Sequence, residues 1–252
     1  LVSSITSMIA SKTVDGLILT PPLSDMQPLL AELDRLSVNF VLIAPADHAN
    51  AYRSVFTNDQ AACADMVRYL GSLGHRRIGF VVGHKDHKAV LNRYLGYRDG
   101  LRSLGLKFDR RLVRQGDNAF ESGIRCARGL LELADPPTAI FASNDDMAAG
   151  VMQVAHEMGL SIPGDLSVAG FDDVPLASYI WPSLTTIRQP IEEMAVRATA
   201  LLLSQLRDGD PDTIEHTIDS ELIIRASTGA PAGKRPRAAA GTTARGRPRA
   251  SR

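Results

Sequence analysis

Three observations indicate that the sequence encodes an α/β protein with parallel sheets. Apolar runs of strand length alternate along the chain with segments whose apolar residues recur with a period of about 3.6. The runs are apolar continuously rather than at every second residue, which is typical of strands covered on both faces. Glycines that permit a left-handed stop directly follow three helical segments, and these are Gly74, Gly105 and Gly159. Together the observations favour βαβ units in open sheets with helices on both faces.

The patterns place the elements in order along the chain. The predicted strands are Val14–Thr20, Phe40–Pro45, Ser54–Thr57, Ile78–Gly83, Ala139–Ser143, Ser167–Phe171 and Glu221–Ala226. The predicted helices are Leu1–Lys12, Met26–Leu36, Asp59–Leu73, Val90–Leu104, Ser122–Leu133, Asp145–Met158 and Pro190–Arg207. Two passages, residues 56–59 and 185–190, fit neither pattern and are candidate crossings between lobes.

The composition is that of a water-soluble globular protein. Of the 252 residues, 44% are hydrophobic and 22% are charged, which allows one large core or two smaller lobes. The two cysteines, Cys63 and Cys126, lie in helical segments, so we expect buried packing residues and neither a disulfide nor a zinc site. No apolar run approaches the roughly 20 residues that span a bilayer, and no secretory leader is seen. The sequence therefore favours a cytoplasmic protein, and its start at Leu1 inside a helical pattern suggests that an upstream part is missing.

The basic residues are distributed unevenly. The chain has 28 basic and 28 acidic residues, but seven of the basic ones lie in residues 232–252, where no acidic residue occurs. The remaining body is therefore acidic and a poor surface for a phosphate backbone. We expect the tail, residues 229–252, to be disordered. Its segment Arg245–Pro248 resembles the core of an AT-hook, which leaves minor-groove binding, general attraction to polyanions and no role as alternatives.

Polar residues directly follow several of the predicted strands. Asn58 follows one strand, Asn144–Asp146 another and Asp172–Asp173 a third, while His84–His87 follow a fourth with Arg93 close by in the chain. Ligands of open α/β sheets bind beyond the carboxyl ends of the strands. Carboxamides, carboxylates and an arginine supply the donors and acceptors that vicinal hydroxyl groups require. These residues therefore predict a site for a small polar ligand.

Six blocks of the sequence carry a family resemblance. They are Val14–Leu19, Leu73–Phe80, Arg93–Tyr97, Pro137–Asp145, Ser167–Asp173 and Leu184–Pro190. In order and spacing they resemble the effector domain of LacI/GalR-type bacterial transcription regulators, and the resemblance covers about residues 1–228. It implies a periplasmic-binding-protein-like fold of type I, in which two doubly wound parallel-sheet lobes are joined by three crossings and enclose the ligand.

The resemblance also implies an organisation of this chain. The crossings fall near Asn58, near Ile187 and within residues 208–221. The first lobe is then residues 1–57 plus 188–210, without the family's first strand, and the second is residues 58–187 plus 219–228. Family members carry a helix-turn-helix ahead of this core, and it is absent from this chain. The resemblance thus implies effector sensing and a homodimer, with operator DNA bound through the absent segment.

Six ligand contacts follow from the resemblance, namely Arg93, Asn144, Asp172, Asn58, His87 and Asn118. Arg93 matches the arginine that reaches into the family's cleft and holds effector hydroxyls or a carboxylate. Asn144 and Asp172 match further cleft contacts, although a helix N-cap and a turn are their structural alternatives. Asn118 departs from the family, because many relatives have an aromatic ring there.

Other classes of function receive less support. A transport-associated sugar-binding protein shares the fold but requires export. The phosphate loop, the nucleophile elbow and the dinucleotide-binding turn are all missing, so an enzyme is not expected. The acidic pairs Asp145–Asp146 and Asp172–Asp173 lack His or Cys at ligand spacing, and we predict no metal and no cofactor. The preferred hypothesis is an effector-sensing core that binds a sugar or glycoside.

Overall fold

The computed structural model contains two sheets and describes residues 5, 7–9, 11, 13–45, 52–85, 87, 89–208 and 215–232. The strands are β1 (Gly16–Leu19), β2 (Asn39–Ile43), β3 (Ser54–Thr57), β4 (Ile78–Val82), β5 (Val113–Gln115), β6 (Ala139–Ala142), β7 (Ser167–Asp172), β8 (Thr185–Arg188), β9 (Glu215–Ile218) and β10 (Glu221–Ile223). A four-stranded sheet has the order β1-β2-β3-β9, and a six-stranded sheet has the order β10-β8-β7-β6-β4-β5. The neighbouring strands pair in parallel, except that β10 runs antiparallel to β8.

Helices connect most of these strands, as the alternating pattern predicts. They are α1 (Gln27–Arg35), α2 (Asp59–Ser72), α3 (Ala89–Ser103), α4 (Phe120–Leu131), α5 (Asp145–Glu157), α6 (Pro175–Tyr179) and α7 (Ile191–Asp208). Residues 5 and 7–9 are also helical, while the rest of the predicted first helix lies largely outside the described residues, as do residues 233–252 of the tail. Among the helices that the structure describes, none is long and apolar enough to cross a bilayer. The predicted α/β class with parallel sheets is confirmed.

The six-stranded sheet is buried on both faces. Phe80 and Phe141 point into a core with α2 and α3, whereas their chain neighbours Val81 and Ile140 point into a second core with α4 and α5. Successive side chains of a strand face opposite sides, so two apolar layers require a continuous apolar run. All four of these residues are fully buried, which explains the pattern that predicted the strands.

The four-stranded sheet is covered in the same way by α1 and α7. Phe40 and Leu42 of β2 pack on the α1 side, and Val41 between them packs against α7. Met194 and Ala198 are the buried face of α7 beneath this strand. Because burying one aliphatic side chain stabilises by about 1.5–3 kcal/mol, these contacts hold α7 firmly on the sheet.

A close approach of two helices positions a charged residue at the end of the six-stranded sheet. A Cβ atom on Gly96 of α3 would lie 2.2 Å from the carbonyl oxygen of Gln60 in α2, so only glycine permits this spacing. Arg93 lies almost one turn before Gly96, and Asp59 lies next to Gln60 at the start of α2. The close packing therefore brings Arg93 and Asp59 within reach of each other.

Three strands, β5, β8 and β9, were not predicted from the apolar pattern. The passage 185–190 was interpreted as irregular, whereas Thr185–Arg188 forms β8 between β7 and β10. Thr185 and Thr186 are fully buried despite their hydroxyl groups. The Thr186 hydroxyl donates to Asp145 Oδ1 at 2.6 Å, and the Thr185 hydroxyl lies 2.8 Å from Thr228 Oγ1. Hydrogen-bond partners far along the chain thus satisfy the buried hydroxyl groups, and β8 is buried without the apolar run that identifies the other strands.

Residues 225–229, which we call the C-terminal strap, bind across the amino-terminal end of the six-stranded sheet. Ser227 Oγ accepts the Thr185 backbone N–H at 2.8 Å and donates to the Val168 carbonyl at 2.6 Å. The fully buried His75 places Nε2 2.9 Å from the Gly229 carbonyl oxygen. The strap therefore joins strands and a turn that are distant in sequence, and His75 has a structural position.

Candidate functional site

A cavity of about 430 Å³ lies where the carboxyl ends of the strands of both sheets meet. The polar part of its lining comes mainly from residues that follow strands of the six-stranded sheet. Five of the six predicted ligand contacts line it, namely Arg93, Asn144, Asp172, His87 and Asn118. The strand-end rule therefore brings together residues at or beyond the carboxyl ends of four strands of one sheet, β4, β5, β6 and β7.

Arg93 lies at the centre of the polar wall. Its Nε donates to Asp59 Oδ2 at 2.9 Å, and its Nη1 donates to the Ser143 carbonyl at 2.6 Å and lies 3.4 Å from Asp172 Oδ1. The guanidinium carbon lies 3.7 Å from the centroid of the Phe171 ring, a cation–π geometry. Burial opposes the charged form, but the carboxylates of Asp59 and Asp172 outweigh it and raise the pKa of Arg93. Among the described residues no hydrogen bond uses Nη2, so this group can donate to a ligand.

Asp172 is presented to the cavity by a strained turn. Asp172 and Asp173 have φ angles of 112° and 57°, which side-chain-bearing residues rarely adopt. Arg188 Nε donates to Asp173 Oδ2 at 2.7 Å, and the Val174 N–H donates to Asp145 Oδ2 at 2.9 Å. The turn is thus held from both sides.

The carboxylate of Asp172 faces the cavity with one oxygen engaged. Its Oδ1 accepts from Gln189 Nε2 at 2.5 Å and lies near Arg93. Burial raises the pKa of Asp172, while Arg93 and the Gln189 amide oppose the rise. Among the described residues no hydrogen bond reaches Oδ2, which leaves it as an acceptor for a ligand hydroxyl.

Asn144 and Asn118 are linked to each other beside the cavity. Asn144 Oδ1 accepts the Met147 N–H at 3.0 Å and so caps α5, which is the structural role considered for this residue. Its Nδ2 donates to the Asn118 carbonyl at 2.8 Å. Asn118, with a φ angle of 72°, accepts the His84 N–H and places Nδ2 3.4 Å from His87 Nδ1. The linked amides form a polar surface beside the cavity.

The structure places Asn58 outside this group. Its Nδ2 donates to Asp219 Oδ1 at 2.8 Å, and its Oδ1 accepts the Ser220 N–H at 2.8 Å. Asn58 therefore ties the start of α2 to the segment between β9 and β10, and its ligand contact stays a prediction. Its neighbour Asp59 lines the cavity instead.

Three polar residues, Thr20, Asp59 and Gln189, and an apolar wall were not predicted. Asp59 and Gln189 line the cavity and bind Arg93 and Asp172 respectively. The opposite wall is formed largely by apolar side chains near the ends of β1 and β2 and from the first turn of α7. Among them are Pro21, Ile43, Ile191 and Met194. The cavity is thus polar on the side of the six-stranded sheet and largely apolar on the side of the four-stranded sheet.

One carboxylate of each acidic pair has a structural role. Asp145 binds Thr186 and Val174, and Asp173 binds Arg188. Within the described ranges, no cluster of three or more His, Cys, Asp or Glu residues could hold a metal ion. Cys63 and Cys126 are both free and buried.

Comparisons with known proteins agree on one kind of domain. The family model for a periplasmic binding protein-like domain matches residues 67–228. The HTH-type transcriptional repressor CytR of Escherichia coli is 35% identical over 227 residues, which are 88% of this chain and 64% of CytR. The crystal structure of a LacI-family regulatory protein from Chloroflexus aggregans has a TM-score of 0.84 and 31% identity over 90% of this chain and 82% of that chain. The complex of the regulator CelR with cellobiose has a TM-score of 0.83 and 28% identity over 90% and 69% of the two chains.

Proposed function

The chain belongs to the LacI family of transcriptional regulators, and on that premise we propose that it is the effector-sensing core of such a regulator. The effector is a small polar molecule, a sugar or glycoside, bound in the cavity. One observation carries the proposal: Arg93, Asn118, Asn144 and Asp172 converge on a single cavity from positions at or beyond the carboxyl ends of different strands. The cellobiose complex of CelR, a relative of the same fold, supports a sugar as the first ligand class to test.

The proposed switch uses both walls of the cavity. The site residues of the polar wall are Arg93, Asn144, Asp172, His87 and Asn118, and the apolar wall belongs to a lobe of residues 1–57 plus 188–210. A ligand that contacts both walls favours the arrangement in which they are close, and only such differential affinity shifts the equilibrium between the arrangements.

This chain spans 64% of the length of CytR. We further propose that the regulator works in the cytoplasm and binds operator DNA through a helix-turn-helix outside this chain. The relatives are repressors, which favours regulation over transport and over an enzyme.

A thermal-shift screen tests the proposed function. The purified chain would be melted with monosaccharides, disaccharides, glycosides, sugar phosphates and purines. A ligand present at about 100 times its Kd adds roughly 2.7 kcal/mol to the free energy of unfolding, which raises Tm by several degrees. A shift from one class would support effector sensing. A cooperative melt without a shift from any class would count against it.

A homodimer is the second part of the proposal. Tyr179 and Trp181, at the end of α6 and just after it, are 83% and 85% exposed, which is unusual for two neighbouring aromatic side chains. We expect a dimer in sedimentation velocity at micromolar concentration and a monomer for Trp181→Asp. Met158→Asp, at an exposed apolar residue after α5, is the control that should remain dimeric. A monomeric parent chain would overturn the dimer, and a dimeric Trp181→Asp would exclude this surface.

A further inference from the structure

We propose that the cavity selects neutral ligands and rejects anionic ones, because the one guanidinium among its described lining residues is already opposed by two carboxylates. The inference rests on the proposed function and narrows its ligand class. It distinguishes neutral sugars, glycosides and nucleosides from sugar phosphates and uronates. The members of each pair share all but one of their hydroxyl groups and differ in charge.

The polar wall carries no net positive charge. Of the described residues that line the cavity, Asp59, Arg93 and Asp172 are the formally charged ones. With both carboxylates ionised the wall has one negative charge in excess, and with Asp172 protonated it is neutral. In neither state does the wall carry a net positive charge that would attract a phosphate or a carboxylate.

Most of the donors of Arg93 are already in use. A bidentate clamp on an anion needs two adjacent N–H groups of the guanidinium. The Asp59 carboxylate occupies Nε, and the Ser143 carbonyl and Asp172 lie on Nη1. The side chain of Arg93 is 12% exposed and that of Asp59 is 6% exposed, so water screens their pairing weakly. What Arg93 offers through Nη2 is a donor for a hydroxyl group and not a clamp for an anion.

The apolar wall makes the entry of an anion unfavourable. Ile43, Ile191 and Met194 face the polar groups across the cavity. An anion that enters loses hydration against this wall, and no unpaired cation among the described lining residues replaces the lost interaction. A neutral ring avoids that cost, because its hydroxyls meet the polar wall and its carbon face meets the apolar one.

Matched pairs of ligands test the proposal by isothermal titration calorimetry at pH 8, above the usual titration range of imidazole. The pairs are glucose and glucose 6-phosphate, ribose and ribose 5-phosphate, uridine and uridine 5′-monophosphate, and galactose and galacturonate. In every pair that binds, the anionic member is expected to bind about ten- to hundredfold more weakly, the effect of one like charge about 6 Å away at an effective dielectric constant of about 20–40.

Two variants identify the residues responsible. Asp59→Asn removes one carboxylate and keeps an oxygen that can accept from Nε of Arg93, so the discrimination against the anionic member should shrink by about tenfold through the change of charge alone. Asp99→Asn removes an exposed carboxylate of α3 that pairs with Arg102, and it should leave the discrimination unchanged. The matched pairs on the parent chain test the proposal even if Asp59→Asn fails to fold.

The outcomes distinguish charge selection from effector sensing. An anionic member that binds as tightly as its neutral partner overturns charge selection and leaves effector sensing in place. An unchanged discrimination in folded Asp59→Asn overturns the assignment to the Asp59 and Arg93 pair. No binding by any compound, tested on a folded chain, overturns effector sensing and charge selection together.

Discussion

Replacing Arg93 with alanine is expected to abolish ligand binding and to lower the free energy of unfolding by about 3–5 kcal/mol. The side chains of Asp59 and Asp172 are 6% and 26% exposed, and the variant leaves both without their cation. The Ser143 carbonyl loses its donor as well. Urea titration measures the loss of stability, and calorimetry with whichever compound shifts Tm measures the loss of binding.

Two further variants test whether the loss of stability comes from leaving buried carboxylates unpaired. Arg102→Ala removes an arginine from the same helix, but its side chain is 75% exposed, so we expect a change of less than about 1 kcal/mol. A triple variant with Arg93→Met, Asp59→Asn and Asp172→Asn removes the buried charges together and should recover most of the stability without recovering binding. Ligand affinity retained in Arg93→Ala would contradict the role assigned to this residue.

Replacing Asp145 with asparagine is expected to remove a pH dependence of stability worth about 4 kcal/mol between pH 4 and pH 7. Asp145 is 1% exposed, and burial raises its pKa from the usual 3.8 to about 7, although the Thr186 hydroxyl and the Val174 N–H oppose the rise. In this window the folded chain holds a proton that the unfolded chain has released. The contribution to stability is therefore full below about pH 4 and is lost as the pH rises towards 7.

The measurement is the free energy of unfolding of parent and variant from pH 4 to pH 8. Because other titrating groups are shared, they cancel in the difference between the two curves. We expect that difference to change steadily from pH 4 to pH 7 and to be level above it. Asp146→Asn changes the exposed neighbour in the same turn of α5 and should run parallel to the parent. Parallel curves for Asp145→Asn would exclude a titration of this carboxyl group in the window.

The class of fold could be predicted because the cores are two-sided. Phe80 and Val81 are consecutive, yet they lie in different apolar layers, and this arrangement requires an apolar run that is visible in the sequence. β8 could not be predicted in this way. Its buried Thr185 and Thr186 depend on partners about 40 residues away, such as Ser227 and Asp145, which no local pattern reveals.

Most of the candidate site was predictable because the strands before it were, and Asn118, which follows the unpredicted β5, was predicted from the family resemblance alone. Arg93, Asn144 and Asp172 line the cavity because they lie in or near loops after strands that the apolar runs identify. Gln189 was missed because β8, which it follows, was missed. At the start of α2 the choice between Asn58 and Asp59 depends on the direction of neighbouring side chains. That direction is set by α3, which packs against α2 through Gly96, and not by the local sequence.

The C-terminal strap has a consequence for synthesis on the ribosome. β9 completes one sheet beside β3, β10 completes the other beside β8, and the strap supplies hydrogen-bond partners to Thr185 and His75. Until residues 215–229 have emerged, β3 and β8 each present an open backbone edge, and buried polar groups lack their partners. β9 and β10 are therefore the last of the described strands to join their sheets, and the edges of β3 and β8 are exposed to aggregation until then.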